Sequence, residues 1–446
     1  MNKKLIILLS GLISVGIYMF LPADKNVLKG LAILFFIAVL WITEALPITV
    51  TALLVPIVAV MTGIFDVREA LSYFAHPIIF LFLGGFALAA ALHKYNLDEL
   101  FAGYIMKLAG SKMIFSVIGL FIATALISMW ISNTATTAIM LPVALGLISK
   151  LKERNHTTDV FILLGVAYSA NIGGIGTIIG SPPNAITAAN LGLSFSEWLS
   201  IGIPFMLILF PIMVIVLYVI LKPKFPDMAA IYTIKTQDVF CNKKSYAVVS
   251  IFGFTIILWL LSKPISTWLG IEKGFDSIIA VFAIVLLVLL RTIKWKEIEN
   301  FADWGVLLLF GGGLVLSGIL AETGASAYLA ELVETHLVNY GPFLLVLGAV
   351  TLMIFLTEVA SNTASAAILV PIFLVLGQEI GHFPPYELAI TVGIAASCAF
   401  MLPVATPPNA LVFGTERIKL KEMMKVGFVL NIISALVISI VAYLIF

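Results

Sequence analysis

Charge is what this chain of 446 residues has least of. Asp, Glu, Lys and Arg together make up 11% of it, where a soluble domain carries roughly 25%. The longest polar stretch, about Lys222 to Tyr246, is too short to bury a core of its own, so no soluble domain is expected. Basic and acidic residues nearly cancel, 25 against 24. Bulk charge therefore says little about partners, and no nucleic acid is expected among them. There are only two cysteines, Cys241 in a loop and Cys398 in an apolar run, so a disulfide framework is not indicated. The five histidines, His76, His93, His156, His336 and His382, lie at or near the ends of apolar runs, which argues against a central histidine proton relay. No Walker A, HExxH or GxSxG pattern is present, and no nucleophile is paired with a base, so an enzyme is not expected.

What the chain has instead is apolar length. Hydrophobic residues make up 61% of it, and many runs reach the ~20 residues that a membrane-spanning helix needs. Apolar windows fall near 5–21, 28–43, 48–65, 74–92, 113–148, 160–189, 198–221, 246–261, 277–291, 303–320, 342–376, 386–413 and 426–446. The first could pass for a signal peptide. However, Leu5 to Leu21 is long for such a core and no clean A-x-A site follows, so it reads as the first transmembrane helix. The expected fold is an all-α polytopic membrane protein.

Two windows, 113–148 and 342–376, have the length of two half-crossings. Each holds the same tripeptide near its middle: Ser132-Asn133-Thr134 and Ser361-Asn362-Thr363, with a proline ten residues after the serine (Pro142, Pro371). Hydroxyl and amide groups at membrane depth are costly unless they bond something. A re-entrant hairpin with its tip at mid-membrane explains the pattern, since irregular backbone is tolerated there when protein or a water-filled cavity covers it. With the N-terminus in the cytoplasm and both windows re-entrant, inside loops hold 20 of the Lys and Arg residues and outside loops 5. That bias agrees with the positive-inside rule. About eleven transmembrane helices plus two hairpins follow, in a cell (inner) membrane, with the C-terminus outside.

The halves repeat. FLFLGGFALA (Phe80 to Ala89) resembles LLFGGGLVLS (Leu308 to Ser317), and Pro182-Pro183-Asn184 recurs as Pro407-Pro408-Asn409. Order and spacing are kept: Gly84 pairs with Gly312, Ser132 with Ser361 and Asn184 with Asn409, at nearly one constant offset in sequence. The two hairpins open to opposite sides, as in inverted-topology transporters. The chain divides into a first transmembrane helix (1–27), repeat 1 (28–222), a cytoplasmic linker (223–245) and repeat 2 (246–446).

Each Pro-Pro pair breaks a helix. A break at membrane depth frees carbonyls that can coordinate a small cation and leaves a new helix N-terminus for an anion. The run Gly173-Gly174-Ile175-Gly176 before the first break suits close backbone approach. SNT donors suit carboxylate oxygens, and SNT oxygens suit a hard cation such as sodium. Intramembrane acids are functional candidates by default. Glu358, three residues before the second SNT, is balanced between such a role and a local bond. Glu44, near a span end, reads as locally bonded.

The sequence resembles the divalent anion/sodium symporter family over nearly its whole length. WITEALP, FLFLGGFALAAA, SMWISNTAT, LLGVAYSA, GSPPNAI, DWGVLLLFGGG, FLTEVASNTASAA and SCAFMLPVATPPNA carry the resemblance. It implies a homodimer in the lipid bilayer, each protomer having a scaffold and a moving, elevator-type transport domain. It also implies at least two sodium sites: Ser128, Ser132, Asn133 and the Gly180 carbonyl for the first; Thr357, Ser361, Asn362 and the Ala405 carbonyl for the second. Substrate carboxylates would meet Ser132, Asn133, Thr134, Ser361, Asn362 and Thr363, with Thr406 and Pro407 lining the pocket. The activity implied is import of C4-dicarboxylates (succinate, fumarate, malate) with sodium. A sodium-independent exchanger is the alternative; an intramembrane enzyme and a channel are the readings from other classes.

Overall fold

The computed structural model describes residues 3–108, 112–149, 151, 155–225, 243–271, 273–337, 341–380 and 386–445. Of the residues used for the charge count, Lys150, Lys152, Arg154 and Lys235 lie outside this set, as do Cys241, His382 and most of the 223–245 linker. The described residues form α-helices and one short 3-10 turn, with no strand. Among them, seven helices are long and apolar enough to cross a membrane, the first being Lys3–Phe20.

The two long windows each resolve into a pair of packed helices, Met113–Ser128 with Asn133–Ser149 and Pro342–Thr357 with Asn362–Ile380. At 1.5 Å per residue, a 16-residue arm is about 24 Å long, short of the ~30 Å hydrocarbon core. The chain turns at SNT in both. Windows 160–189 and 386–413 are each interrupted ahead of their Pro-Pro pair, as the prolines predict: His156–Gly174 is followed by Pro182–Leu191, and Glu387–Ala395 by Pro407–Phe413.

The helices form two sets, each packing largely within itself. Lys25–Thr43, Ile48–Met61, Pro77–Lys94, Lys243–Leu260, Phe275–Leu289 and Trp304–Glu322 make a framework. The hairpins and broken helices pack together with Phe195–Leu221 and Leu420–Ile445. Between membrane helices the hydrophobic drive is weak, and small residues let backbones approach. Gly84 lies against Ala280, and Gly312 against Ala52, so closely that a Cβ on either glycine would collide. The members correspond: the offset in sequence that carries Gly84 to Gly312 also carries Ala52 to Ala280.

The same offset carries Ile48 to Asp276, and both carbonyls accept from an indole, although the two tryptophans are not themselves at that offset: Trp41 donates to Ile48 at 3.2 Å and Trp259 to Asp276 at 3.0 Å. Helices Leu97–Leu108 and Ala325–Leu337, which the apolar windows do not reveal, also begin at counterpart positions. Asp98, Glu99 and Lys107 break up the apolar run in the first of these, which hides it from a hydropathy count.

Candidate functional site

The first hairpin tip and the first break assemble one cluster of oxygens. Fully buried Ser128 closes the first arm, and its hydroxyl lies 2.7 Å from the Ala170 carbonyl. Asn133 opens the second arm. One end of its amide stands 2.6 Å from Ser128 Oγ, 3.1 Å from the Ala170 carbonyl oxygen and 3.2 Å from that of Gly180. Gly174 makes the approach possible, because a Cβ there would overlap the Asn133 side chain. The two ends of an amide differ only in where their hydrogens lie. With nitrogen turned inward, the two N–H groups of Asn133 face three oxygen neighbours and satisfy it without a cation. With oxygen turned inward, four oxygens share the single hydroxyl proton of Ser128, an arrangement that a bound cation or a donating water would relieve. Of the first expected set, Ser128, Asn133 and Gly180 stand together beside the Ala170 carbonyl, while Ser132 lies outside this cluster.

Ser132 and Thr134 are exposed at the tip. The Ser132 hydroxyl accepts from the Ala135 amide at 3.3 Å and so caps the second arm. In the second half, Asn362 Oδ1 is buried with no hydrogen-bond partner among the described residues, a costly arrangement for an acceptor. Thr357 donates to its own helix at Ile354, 2.9 Å away. Ser361 is half-buried and Thr363 and Ala405 are buried. No hydrogen bond is described that joins Thr357, Ser361, Asn362 and Ala405 to one another, so this set is less closely drawn together than the first.

The PPN asparagines hold the breaks in shape. Asn184 Nδ2 donates to the carbonyls of Gly174 (2.8 Å) and Thr177 (2.7 Å). Asn409 Nδ2 donates to those of Ala399 and Leu402, both at 3.1 Å. The offset that carries Asn184 to Asn409 also carries Gly174 to Ala399 and Thr177 to Leu402, so both bonds are repeated position for position. These side chains satisfy carbonyls that the missing helical turns leave open. The breaks also touch each other: Ser181 Oγ lies 3.2 Å from Ser397 Oγ, and Asn171 Nδ2 donates to Thr406 Oγ1 at 3.2 Å. Thr406 is buried and caps Asn409, while Pro407 is exposed.

Glu358 is buried and takes the bonding role. Its carboxylate accepts from the amides of Met401 and Leu402, each at 2.8 Å, and from Asn431 Nδ2 at 2.6 Å. It therefore ties the second tip to the second break. In the first half, the Thr177 hydroxyl ties the first break to the Met129 carbonyl. Met129 and Glu358 are counterparts, each standing three positions before its SNT serine. Glu44 is exposed at a helix end, and its carbonyl accepts from Lys3. Among the described residues no cluster of three or more His, Cys, Asp or Glu could hold a metal ion, so any cation held here meets hydroxyl, amide and carbonyl oxygens.

A cavity of about 680 Å³ runs along the second arm of the first hairpin, from Ile131 and Ala135 past Ala138 and Val143, to His93, Glu99 and Phe301. It separates that arm from helix Leu97–Leu108. In the second half, the corresponding helices Ala325–Leu337 and Asn362–Ile380 are packed together.

The chain matches the citrate transporter family over residues 38–372. It is 49% identical over 432 residues to an uncharacterized transporter of Haemophilus influenzae, covering 95% of this chain and 93% of that protein. It is 35% identical over 456 residues to the sodium-dependent dicarboxylate transporter SdcS of Staphylococcus saprophyticus, covering 94% and 86%. Among solved structures, the YdaH transporter of Alcanivorax borkumensis superposes with a TM-score of 0.60 at 13% identity, covering 85% of this chain and 87% of that one. MtrF of Neisseria gonorrhoeae gives 0.58 at 13%, covering 98% and 93%. At that identity the two structures speak to the fold alone.

Proposed function

The chain belongs to the citrate transporter family and is a multi-span membrane transporter closely related to the sodium-dependent dicarboxylate transporters, and from that premise we propose that it imports C4-dicarboxylates coupled to inward sodium movement. The oxygen cluster around Asn133 carries this reading. A dicarboxylate brings two negative charges, and the tips and breaks offer it no Lys, Arg or His. Neutral donors satisfy carboxylate oxygens but cannot cancel a dianion taken out of water. Cations at the Ser128/Asn133/Gly180 cluster and at a second set of Thr357, Ser361, Asn362 and the Ala405 carbonyl remove most of that cost. The buried Asn362 Oδ1, without a partner among the described residues, supports the second site. Substrate carboxylates bind between the tips, at Ser132, Asn133, Thr134, Ser361, Asn362 and Thr363, beside Thr406 and Pro407.

The halves form an inverted repeat with two re-entrant hairpins. The paired glycine contacts and the paired asparagine bonds, each recurring at counterpart positions, support it. The first hairpin opens to the cytoplasm and the second to the outside, in line with the 20-to-5 charge split. The framework set is the scaffold, through which two protomers pair, and the hairpin set is the moving elevator.

An asymmetry within the repeat supports motion. A Cβ on Gly85 would lie 3.2 Å from Ile179, in the first break. A Cβ on Gly313, the counterpart of Gly85, would lie 3.0 Å from Ala367, in the second hairpin. Val404, the counterpart of Ile179, is 81% exposed. The transport unit is thus displaced along the scaffold toward one end of its travel, with the open cavity on the cytoplasmic hairpin's side. At the other end the partners exchange: Gly85 meets Ala138, and Gly313 meets Val404.

Uptake into proteoliposomes with sodium, proton and potassium gradients imposed separately tests the function. Succinate accumulation driven by sodium alone is expected. Accumulation that needs internal counter-substrate and no cation gradient would make the protein an exchanger, and full support by a proton gradient would exclude sodium coupling.

A further inference from the structure

The two hairpin tips are not held alike, and a carboxylate outside the binding site accounts for the difference. Trp130, two residues before Ser132, stacks on Phe195 at 6.2 Å between ring centroids and meets Phe252 edge-on at 5.3 Å. Phe195 stacks in turn on Trp259 at 4.5 Å. Phe195 and Trp259 are both fully buried. Asp276 fixes this column at its middle and at its framework end: its carboxylate accepts from the Phe195 amide at 2.8 Å, and its carbonyl accepts from the Trp259 indole at 3.0 Å. The same helical turn is bound twice more. Glu197 pairs with Lys263 at 3.0 Å, and Trp198 donates to the Ile175 carbonyl of the first break at 3.1 Å. Trp130, Phe195 and Trp198 belong to the set of hairpins and broken helices. Phe252, Trp259 and Asp276 belong to the framework.

The second half keeps the site of this latch but not its parts. Trp41 matches Trp259 in donating to the carbonyl of the corresponding residue, yet that residue is Ile48, which has no carboxylate. Val359 stands where Trp130 does and is 63% exposed; Leu420 stands where Phe195 does and is 45% exposed. A stacked aromatic column with a buried charge-assisted hydrogen bond is stronger than two loose aliphatic contacts.

We propose that Asp276 is a positioning residue for the first hairpin tip: through Phe195 and Trp130 it holds that tip against the framework and biases alternation toward the conformation seen here. The proposal rests on the alternation described above. In the exchanged conformation the column parts, and Leu420 and Val359 replace it with weaker contacts on the opposite side. The conformation with the first cavity open is therefore the resting one. Sodium and substrate must work against the latch to leave it, so its strength sets how much ligand the cycle needs.

Cysteine accessibility tests this. In a protein with Cys241 and Cys398 replaced by serine, Ala138→Cys reports the open cavity, since Ala138 is exposed and lines it. Asp276→Ala should slow maleimide labelling of that cysteine severalfold, because losing one hydrogen bond to a charged group shifts the equilibrium by about one to two decades and labelling follows the open fraction. Asp276→Asn keeps a neutral acceptor for the Phe195 amide and should label at a rate between those of the parent and Asp276→Ala. Trp130→Leu should reproduce the alanine effect if Asp276→Ala folds poorly. Labelling in Asp276→Ala and Trp130→Leu equal to the parent, while the parent still responds to sodium and substrate, would overturn the proposal. A parent whose labelling ignores sodium and substrate would instead contradict the alternation itself.

Discussion

Phe82 and Phe310 meet edge to face, with ring centroids 4.8 Å apart and planes at 84°, and they occupy the same position in the two glycine motifs. A residue that touches its own counterpart marks the centre of a two-fold relation. Gly84 on Ala280 and Gly312 on Ala52 flank it on either side. In the proposed mechanism this centre belongs to the part that does not move. Phe82→Ala should therefore lower the melting temperature of the purified protein, because Phe→Ala in packed cores costs about 3–5 kcal/mol. The sodium concentration for half-maximal uptake should stay put. A changed sodium requirement at unchanged melting temperature would place the Phe82–Phe310 contact in the moving part.

Exchange of partners is directly checkable. With cysteines at Gly85 and Ala138, an oxidative cross-link should form during turnover and arrest uptake, although Gly85 faces Ile179 in the structure. A second pair at Gly313 and Val404 should behave the same way. Both cross-links should slow when the transporter is held without sodium and substrate. If neither pair cross-links under turnover, the partners do not exchange.

The proposed sodium sites give mutations with a sign and a size. Asn133→Ala and Asn362→Ala should each weaken substrate binding by about one to two decades, the cost of a lost hydrogen bond to a charged group. Ser128→Ala and Thr357→Ala should raise the sodium needed for half-maximal uptake, with folding intact by size-exclusion profile. Unchanged sodium dependence in Ser128→Ala would remove the four-oxygen cluster from the account.

Glu358→Gln tests whether this buried acid is a strut. The carboxylate accepts from two backbone amides and from Asn431. A carboxamide would turn an N–H toward one of those donors, leaving a buried group unsatisfied at a cost of about 1–3 kcal/mol. Thermal stability should fall, and uptake per folded molecule should keep its proton independence. A variant as stable as the parent would argue that Glu358 holds nothing in place.

The membrane class, the helix pairs that turn at SNT and the two breaks were legible in the sequence because hydropathy and proline act locally. SNT and PPN stood out because polar groups and helix breakers are costly at membrane depth. The Ala170 carbonyl was not legible. Any backbone oxygen looks alike in a sequence, and only the fold brings that one to Ser128. The bonds of Asn184 and Asn409 were hidden for a related reason. Each asparagine reaches back across its own break to carbonyls that the break itself creates. Glu358 could not be decided from its position, since Met401 and Leu402 come from a distant segment. Helices Leu97–Leu108 and Ala325–Leu337 escaped because interspersed charge masks an apolar face.

The central claim is that cations bound beside the substrate make a site without fixed positive charge able to hold a dianion. Equilibrium binding of labelled succinate to the purified protein, in sodium chloride against choline chloride at equal ionic strength, tests it most directly. Coupling between two ligand sites is typically worth about 5- to 150-fold, so the account predicts that the dissociation constant rises by at least about tenfold in choline. It also predicts that Ser128→Ala narrows the difference between the two salts. Equal affinity in the two salts would contradict it.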